Sequence, residues 1–275
     1  MLHPRALLAA LALAAAPAAA QEPEAPAPAA VTTADRQAIA FAEARGRLLF
    51  ALDRAAWVAT DDFVARVRNY RDLGVRGFVV EREGEGYAVT FYGGAGPAPV
   101  AFYRGLVRSH RVRSRQVFAA AARPALTPAQ RRLVAAREAA LAANRNPPCE
   151  EAPFNTAIIP PATPDGPIDV YLLTPQLRDG AWPAGGHYRV TVGVDGRVGG
   201  ERAFTNSCLL MDPRNGPGGG SAAAMLVTHL LDSVPTEIHV FTALTSRVPL
   251  YVGIDDPPRL FEVSGSGIRL VHEGD

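Results

Sequence analysis

The amino-acid sequence predicts an α+β fold, with an N-terminal α-α-β-β-β-α unit followed by a strand-rich C-terminal unit with one short helix. Three observations predict it. Early in the chain, apolar residues recur at three- and four-residue steps, the signature of helices with one buried face. Late in the chain, apolar and polar residues alternate between turn dipeptides, which marks strands. A proline-dense stretch at 144–167 separates the two patterns.

The first twenty residues read as a secretory leader. Met1 to Arg5 is short and positively charged, and Ala6 to Ala16 is an unbroken run of Leu and Ala. That run is too short to span a bilayer, and Ala18-Ala19-Ala20 after Pro17 supplies the small residues of a cleavage site. Residues 21–33 are rich in Pro and Ala and read as a disordered tether.

The N-terminal unit occupies 34–146. Ile39, Ala42, Leu48, Leu49, Leu52 and Ala56 line one face of a first helix from Asp35. Thr60-Asp61 reads as the N-cap of a second helix carrying Phe63, Val64, Val67 and Tyr70, closed by Gly74. Val75 to Glu83 and Tyr87 to Tyr92 form a hairpin around Gly84-Glu85-Gly86, and Val100 to Val107 is a third strand. Thr127-Pro128-Ala129-Gln130 starts a helix, with a capping threonine, proline at the first turn and glutamine at the capping-box position. That helix runs to about Ala143. Its edge of Leu133, Val134 and Leu141 is expected on the hairpin, against Phe78, Val80, Val89 and Phe91.

Residues 147–167 read as a Pro-rich linker or arm, and 168–275 as the strand-rich unit. Ile168 to Leu173 is a strand. His187 to Val194 alternates cleanly, and Asp195-Gly196 turns it into Arg197 to Phe204. After the glycine-rich loop Pro213 to Gly220, Ser221 is expected to cap the short helix Ala222 to Leu231. The strands Glu237 to Leu244, Val248 to Ile254, Arg259 to Val263 and Gly267 to His272 then finish the chain.

Composition removes several function classes. All 28 cationic residues are arginine, so Schiff-base lysines, serine–lysine dyads and Walker-type phosphate lysines are excluded. The net charge of +1 hides an asymmetry: 34–146 carries 19 Arg against 10 acidic residues, and 147–275 carries 8 against 15. Two halves of opposite sign suit mutual docking. Cys149 and Cys208, alone in an exported chain, read as a disulfide whose long loop contributes about 4 kcal/mol at most.

Three constellations bear on chemistry. Arg104, Arg108, Arg111, Arg113 and Arg115 form the densest basic segment, and on a strand the last three share a face. Such a row suits an anionic envelope component, another protein, or the acidic half of this chain. His110, His187, His229, His239 and His272 show no H-x-H or H-x3-H spacing, so no metal or other cofactor is assigned. Ser221, His229, His239 and Asp232 supply the letters of a hydrolase without a G-x-S-x-G elbow. No nucleic-acid motif is present, and after leader cleavage no apolar run spans a membrane. The reading that follows is an exported, periplasmic or secreted, non-catalytic interaction or binding protein. Its alternatives are a hydrolase near Ser221, His229 and His239, and an anion- or glycan-binding module using Arg104 to Arg115.

Overall fold

The computed structural model describes residues 30–94, 98–215 and 222–271. The leader, the tether up to residue 29, the glycine-rich segment 216–220, Ser221 and His272 lie outside them. Within the described residues the fold is mixed α+β, with three α-helices and fourteen strands.

Helix α1, Thr33–Arg66, opens on a capping box in which the Thr32 hydroxyl takes the Asp35 N–H and the Asp35 carboxylate takes the Thr32 N–H. Its 34 residues span about 50 Å. The two helices expected here are one through residue 66. Thr60 does not cap; its hydroxyl donates to the Ala56 carbonyl at 2.7 Å, so the threonine bonds back into the helix it was expected to interrupt.

A four-stranded antiparallel meander follows: β1 (Val75–Glu83), β2 (Gly86–Gly93), β3 (Val100–Arg108) and β4 (Arg111–Val117). The fourth strand was not expected. It is turned back by Ser109 and His110, both at positive φ without being glycine, so the usual turn letters are missing. Helix α2, Pro128–Ala143, starts on the anticipated box of Thr127 and Gln130.

The second sheet has the order β5-β6-β8-β9, from β5 (Asn155–Ile159), β6 (Ile168–Leu173), β8 (Tyr188–Val192) and β9 (Val198–Ala203). The stretch read as a linker thus contains β5. A short ribbon pairs β7 (Trp182–Pro183) with β10 (Leu210–Met211). The third sheet runs β11 (Met225–His229), β12 (Leu250–Ile254), β13 (Arg259–Ser264) and β14 (Gly267–Leu270), with α3 (Glu237–Ser246) crossing over between the parallel pair β11 and β12.

The one short helix of the C-terminal part is therefore present, but it occupies the segment expected as a strand, and β11 occupies the segment expected as the helix. Burial explains the exchange. In α3 every residue from Glu237 to Ala243 is buried, so no polar stripe reports its period, and Ile238, Val240 and Phe241 imitate a strand. In β11 the helix-prone letters Met225 and Leu226 are overridden by parallel pairing with β12.

Hydrophobic clusters cross the proline-rich stretch. On one side, Leu49, Leu52, Ala56 and Phe63 of α1 pack with Val80, Val89, Phe91 and Tyr103, and with Ile159, Tyr171 and Ile238. On the other, Leu133, Val134 and Ala140 of α2 pack with Val79 and Tyr92 and with Val170 and Val190. Helix α2 does meet the hairpin, but on the face of Val79 and Tyr92; Val80, Val89 and Phe91 face α1. Gly46 lets α1 approach α3 closely, since a Cβ there would fall 2.5 Å from Val240 Cβ.

Candidate ligand cleft

At the C-terminal half of α1 the apolar stripe contains one misfit. Asp53 lies a helical turn from Leu49 and from Ala56, in the middle of the buried face. Trp57, one turn on, is 58% exposed, with the Arg54 guanidinium 4.9 Å over its ring. Opposite stand Phe241 and Thr242 of α3, Asn155 at the start of β5, and Trp182 of β7. Together these close a recess of about 240 Å3. The chain has two tryptophans, and both line it.

The Thr174 and His187 wall of the recess is tied to the disulfide. Cys149 and Cys208 are bonded, with Cα atoms 5.4 Å apart and a sequence separation of 59. The Cys149 N–H donates to the Thr174 hydroxyl, which donates to the Gly186 carbonyl at 2.8 Å. The Thr174 N–H donates to His187 Nδ1, and Nε2–H donates to the Pro183 carbonyl at 3.1 Å. That pattern fixes the His187 tautomer and uses both ring nitrogens. Burial holds the imidazole down at about 4, against the opposing Pro183 bond, so it is neutral at physiological pH.

In front of that wall Thr245 donates to the Phe241 carbonyl and Gln176 to the Arg178 carbonyl, but other polar groups are uncommitted. Among the described residues no hydrogen bond or ion pair engages the side chain of Asp53, Asn155 or Thr242, or either indole N–H. Burial pushes the Asp53 carboxyl up to about 6, and the nearby Arg54 charge only partly offsets it. A larger recess of about 540 Å3 lies among Pro128, Pro160 and Pro164; its walls carry no aromatic ring, and Arg132 Nε there is buried without a partner. There Arg132 donates to the Pro164 and Gly166 carbonyls and Glu81 accepts from Gln130.

Apart from His187, the candidate residues singled out in the sequence lie elsewhere. His229 and His239 do meet, ring centroids 4.7 Å apart, beside a recess of about 90 Å3. His229 Nε2 is 2.8 Å from Asp232, whose two oxygens accept from Arg202 at 2.7 and 2.6 Å. His239 Nδ1 accepts the Thr236 N–H at 2.9 Å; burial, then His229, lowers it to about 3. Ser221, the nucleophile candidate, is outside the described residues. No group of three or more His, Cys, Asp or Glu among the described residues is arranged to hold a metal ion.

The arginine row lies on β3 and β4. Arg104 pairs with Glu83, Arg108 with Glu85, and Arg115 Nε with Asp62 at 2.8 Å, all acids of the same half. Arg113 donates to the Arg108 carbonyl, and Arg111 and Arg113 are exposed. Attraction between the halves is carried instead by α1, through Arg45–Asp169 at 3.2 Å and Asp35–Arg259 at 2.9 Å.

The cleft escaped the sequence reading because its residues come from four distant segments. The one legible signal was Asp53 inside an apolar helical stripe. Comparison with protein-family models, with curated proteins and with solved structures finds no significant match.

Proposed function

We propose that this protein acts outside the cytoplasm as a non-catalytic binding protein, and that its ligand occupies the recess between Trp57 and Trp182. The observation that carries the reading is the convergence of both tryptophans and a partnerless carboxyl on one recess. A small cleft with apolar walls and a few unspent polar groups is the usual form of a ligand site. The leader pattern and the Cys149–Cys208 bond support an oxidising compartment. No helix among the described residues is long and apolar enough to cross a membrane, which fits a protein free of the bilayer once its leader is removed. At this recess a binding role is favoured over a hydrolytic one because the histidine in its wall has both nitrogens bonded to backbone groups.

Thermal-shift screening of a broad panel of small polar compounds tests it. Compounds that raise the melting temperature of the wild-type protein are expected to lose that effect in Trp182→Ala and Asp53→Asn. Stabilisation that persists undiminished in both variants would place the ligand elsewhere and overturn the reading.

A further inference from the structure

We infer that the ligand of this cleft is a single neutral sugar ring, either free or at the end of a glycan. The inference rests on the cleft reading and adds the chemical class.

The cleft leaves both apolar surface and polar groups unspent. Its apolar surface is flat and aromatic, from Trp57, Trp182 and Phe241. Its free polar groups are mixed: a carboxyl, an amide, a hydroxyl and two indole N–H groups, both donors and acceptors. A pyranose ring presents the complement, a face of C–H groups for an indole and a rim of hydroxyls that both donate and accept. Neither class of ion is matched as well. An organic cation would be repelled by the chain's own Arg54 guanidinium over Trp57, whereas a neutral ring carries no charge for it to oppose and can stack on Trp182. An anion would meet Asp53 and Asp179 with Arg54 as the one lining arginine.

Asp53 adds a finer argument. A half-buried carboxylate ion with no hydrogen-bond partner is poorly stabilised where it stands, and a ligand hydroxyl donating to it would relieve that cost. The recess of about 240 Å3 has room for one ring and not for a chain of them. The exposed edge of Trp57 leaves the mouth open, so the same ring can be free or the last unit of a longer glycan.

The test is a titration of the full mature protein with glucose, galactose, mannose and N-acetylglucosamine. Their short oligomers form a second arm, and choline and citrate serve as charged comparators. Intrinsic fluorescence reads binding directly, because both tryptophans of the chain line the cleft. Saturation-transfer NMR provides a second readout on each sugar.

At least one neutral sugar is expected to shift the emission saturably. Asp53→Asn and Asn155→Ala are each expected to weaken it by about tenfold without lowering the melting temperature. An oligomer no tighter than its monomer identifies the free ring as ligand; a tighter one identifies the glycan end. Saturation by choline or citrate alone, abolished in Trp182→Ala, overturns the sugar class and leaves the cleft reading standing. Sugar binding untouched by both polar variants places the ring outside the cleft and overturns both. Absence of binding by every sugar at millimolar concentration overturns the inference here.

Discussion

Asp35 and Asp53 sit on the same helix, about five turns apart and hence on the same face, yet their carboxyls are displaced in opposite directions. Asp35 is held well below the ordinary carboxylate range, first by Arg259 and then by the Thr32 N–H, with the hydroxyls of Thr32 and Ser233 adding smaller pulls. Asp53 is pushed up to about 6 by burial, with no hydrogen bond to oppose it. The first carboxylate is saturated by the fold and the second is left open by it. In the proposed reading, what separates a structural carboxylate from a ligand-facing one is the state of its partners, rather than its residue type. In the His229–His239–Asp232 cluster the carboxylate falls on the saturated side, tied to Arg202 and His229, while each imidazole has one nitrogen bonded to a described residue.

The sharpest way to break the comparison is to remove the saturated member. The Arg259 side chain is 1% exposed, and Asp35 is its carboxylate partner. Asp35→Ala strands that guanidinium, and leaving a buried charge unpaired costs about 3–5 kcal/mol. Chemical denaturation should show a loss of that order, a large share of a typical domain's stability. The sign with pH follows from the lowered carboxyl. Its stabilisation is present above the ordinary value of 3.8 and is lost as pH falls toward the folded value. The variant should therefore lack part of the wild-type loss of stability in acid. A cost below about 1 kcal/mol would show that Arg259 finds water or another acceptor.

Asp53 should behave oppositely. Because its carboxyl is raised, the folded chain favours the protonated form. The resulting stability is complete below 3.8 and is lost as pH rises through about 6. At pH 7 the buried charge costs roughly 1–3 kcal/mol, which Asp53→Asn removes. The expected result is a variant more stable than wild type at pH 7 and indistinguishable from it near pH 4, read by paired melting curves. An equal difference at both values would mean that Asp53 is solvated.

How far the sequence reaches follows the same division. Local commitments were legible. The Thr127–Gln130 capping box, the hairpins at Gly84-Glu85 and Asp195-Gly196, and the cysteine pair all announce themselves within a few residues or by elimination. Commitments made across the chain were not. Helix α3 looks like a strand because its polar groups are satisfied internally. Glu237 is held by Tyr171 and Arg189, and His239 by Thr236. Thr60 looks like a cap until Ala56 is seen to take its hydroxyl. The cleft is the extreme case, since a recess is defined by groups with no partner, and partnerlessness has no local signature. Only Asp53 among Leu49, Leu52 and Ala56 broke a pattern that sequence alone exposes.

The arginine row supplies a third state, charges that have partners but meet them in water, and it is where the smallest effect is expected. Arg104, Arg108 and Arg115 each pair with an acid, yet all three side chains are more than a third exposed. Exposed pairs of this kind contribute about 0.2–1 kcal/mol each and are screened by salt. Arg111 and Arg113 are exposed and make no ion pair with a described residue. Reversing those two, Arg111→Glu with Arg113→Glu, should move the melting temperature very little, and added salt should not enlarge the change. Affinity for a cleft ligand should also be unaffected, since β4 contributes no residue to that recess. Retention on an anionic matrix is the quantity that should fall, because two cations free of acidic partners are the part of the row still available to an outside anion. If instead the double reversal lowers the melting temperature by several degrees, the row is held by a network within the folded chain. It would then join Asp35 on the saturated side.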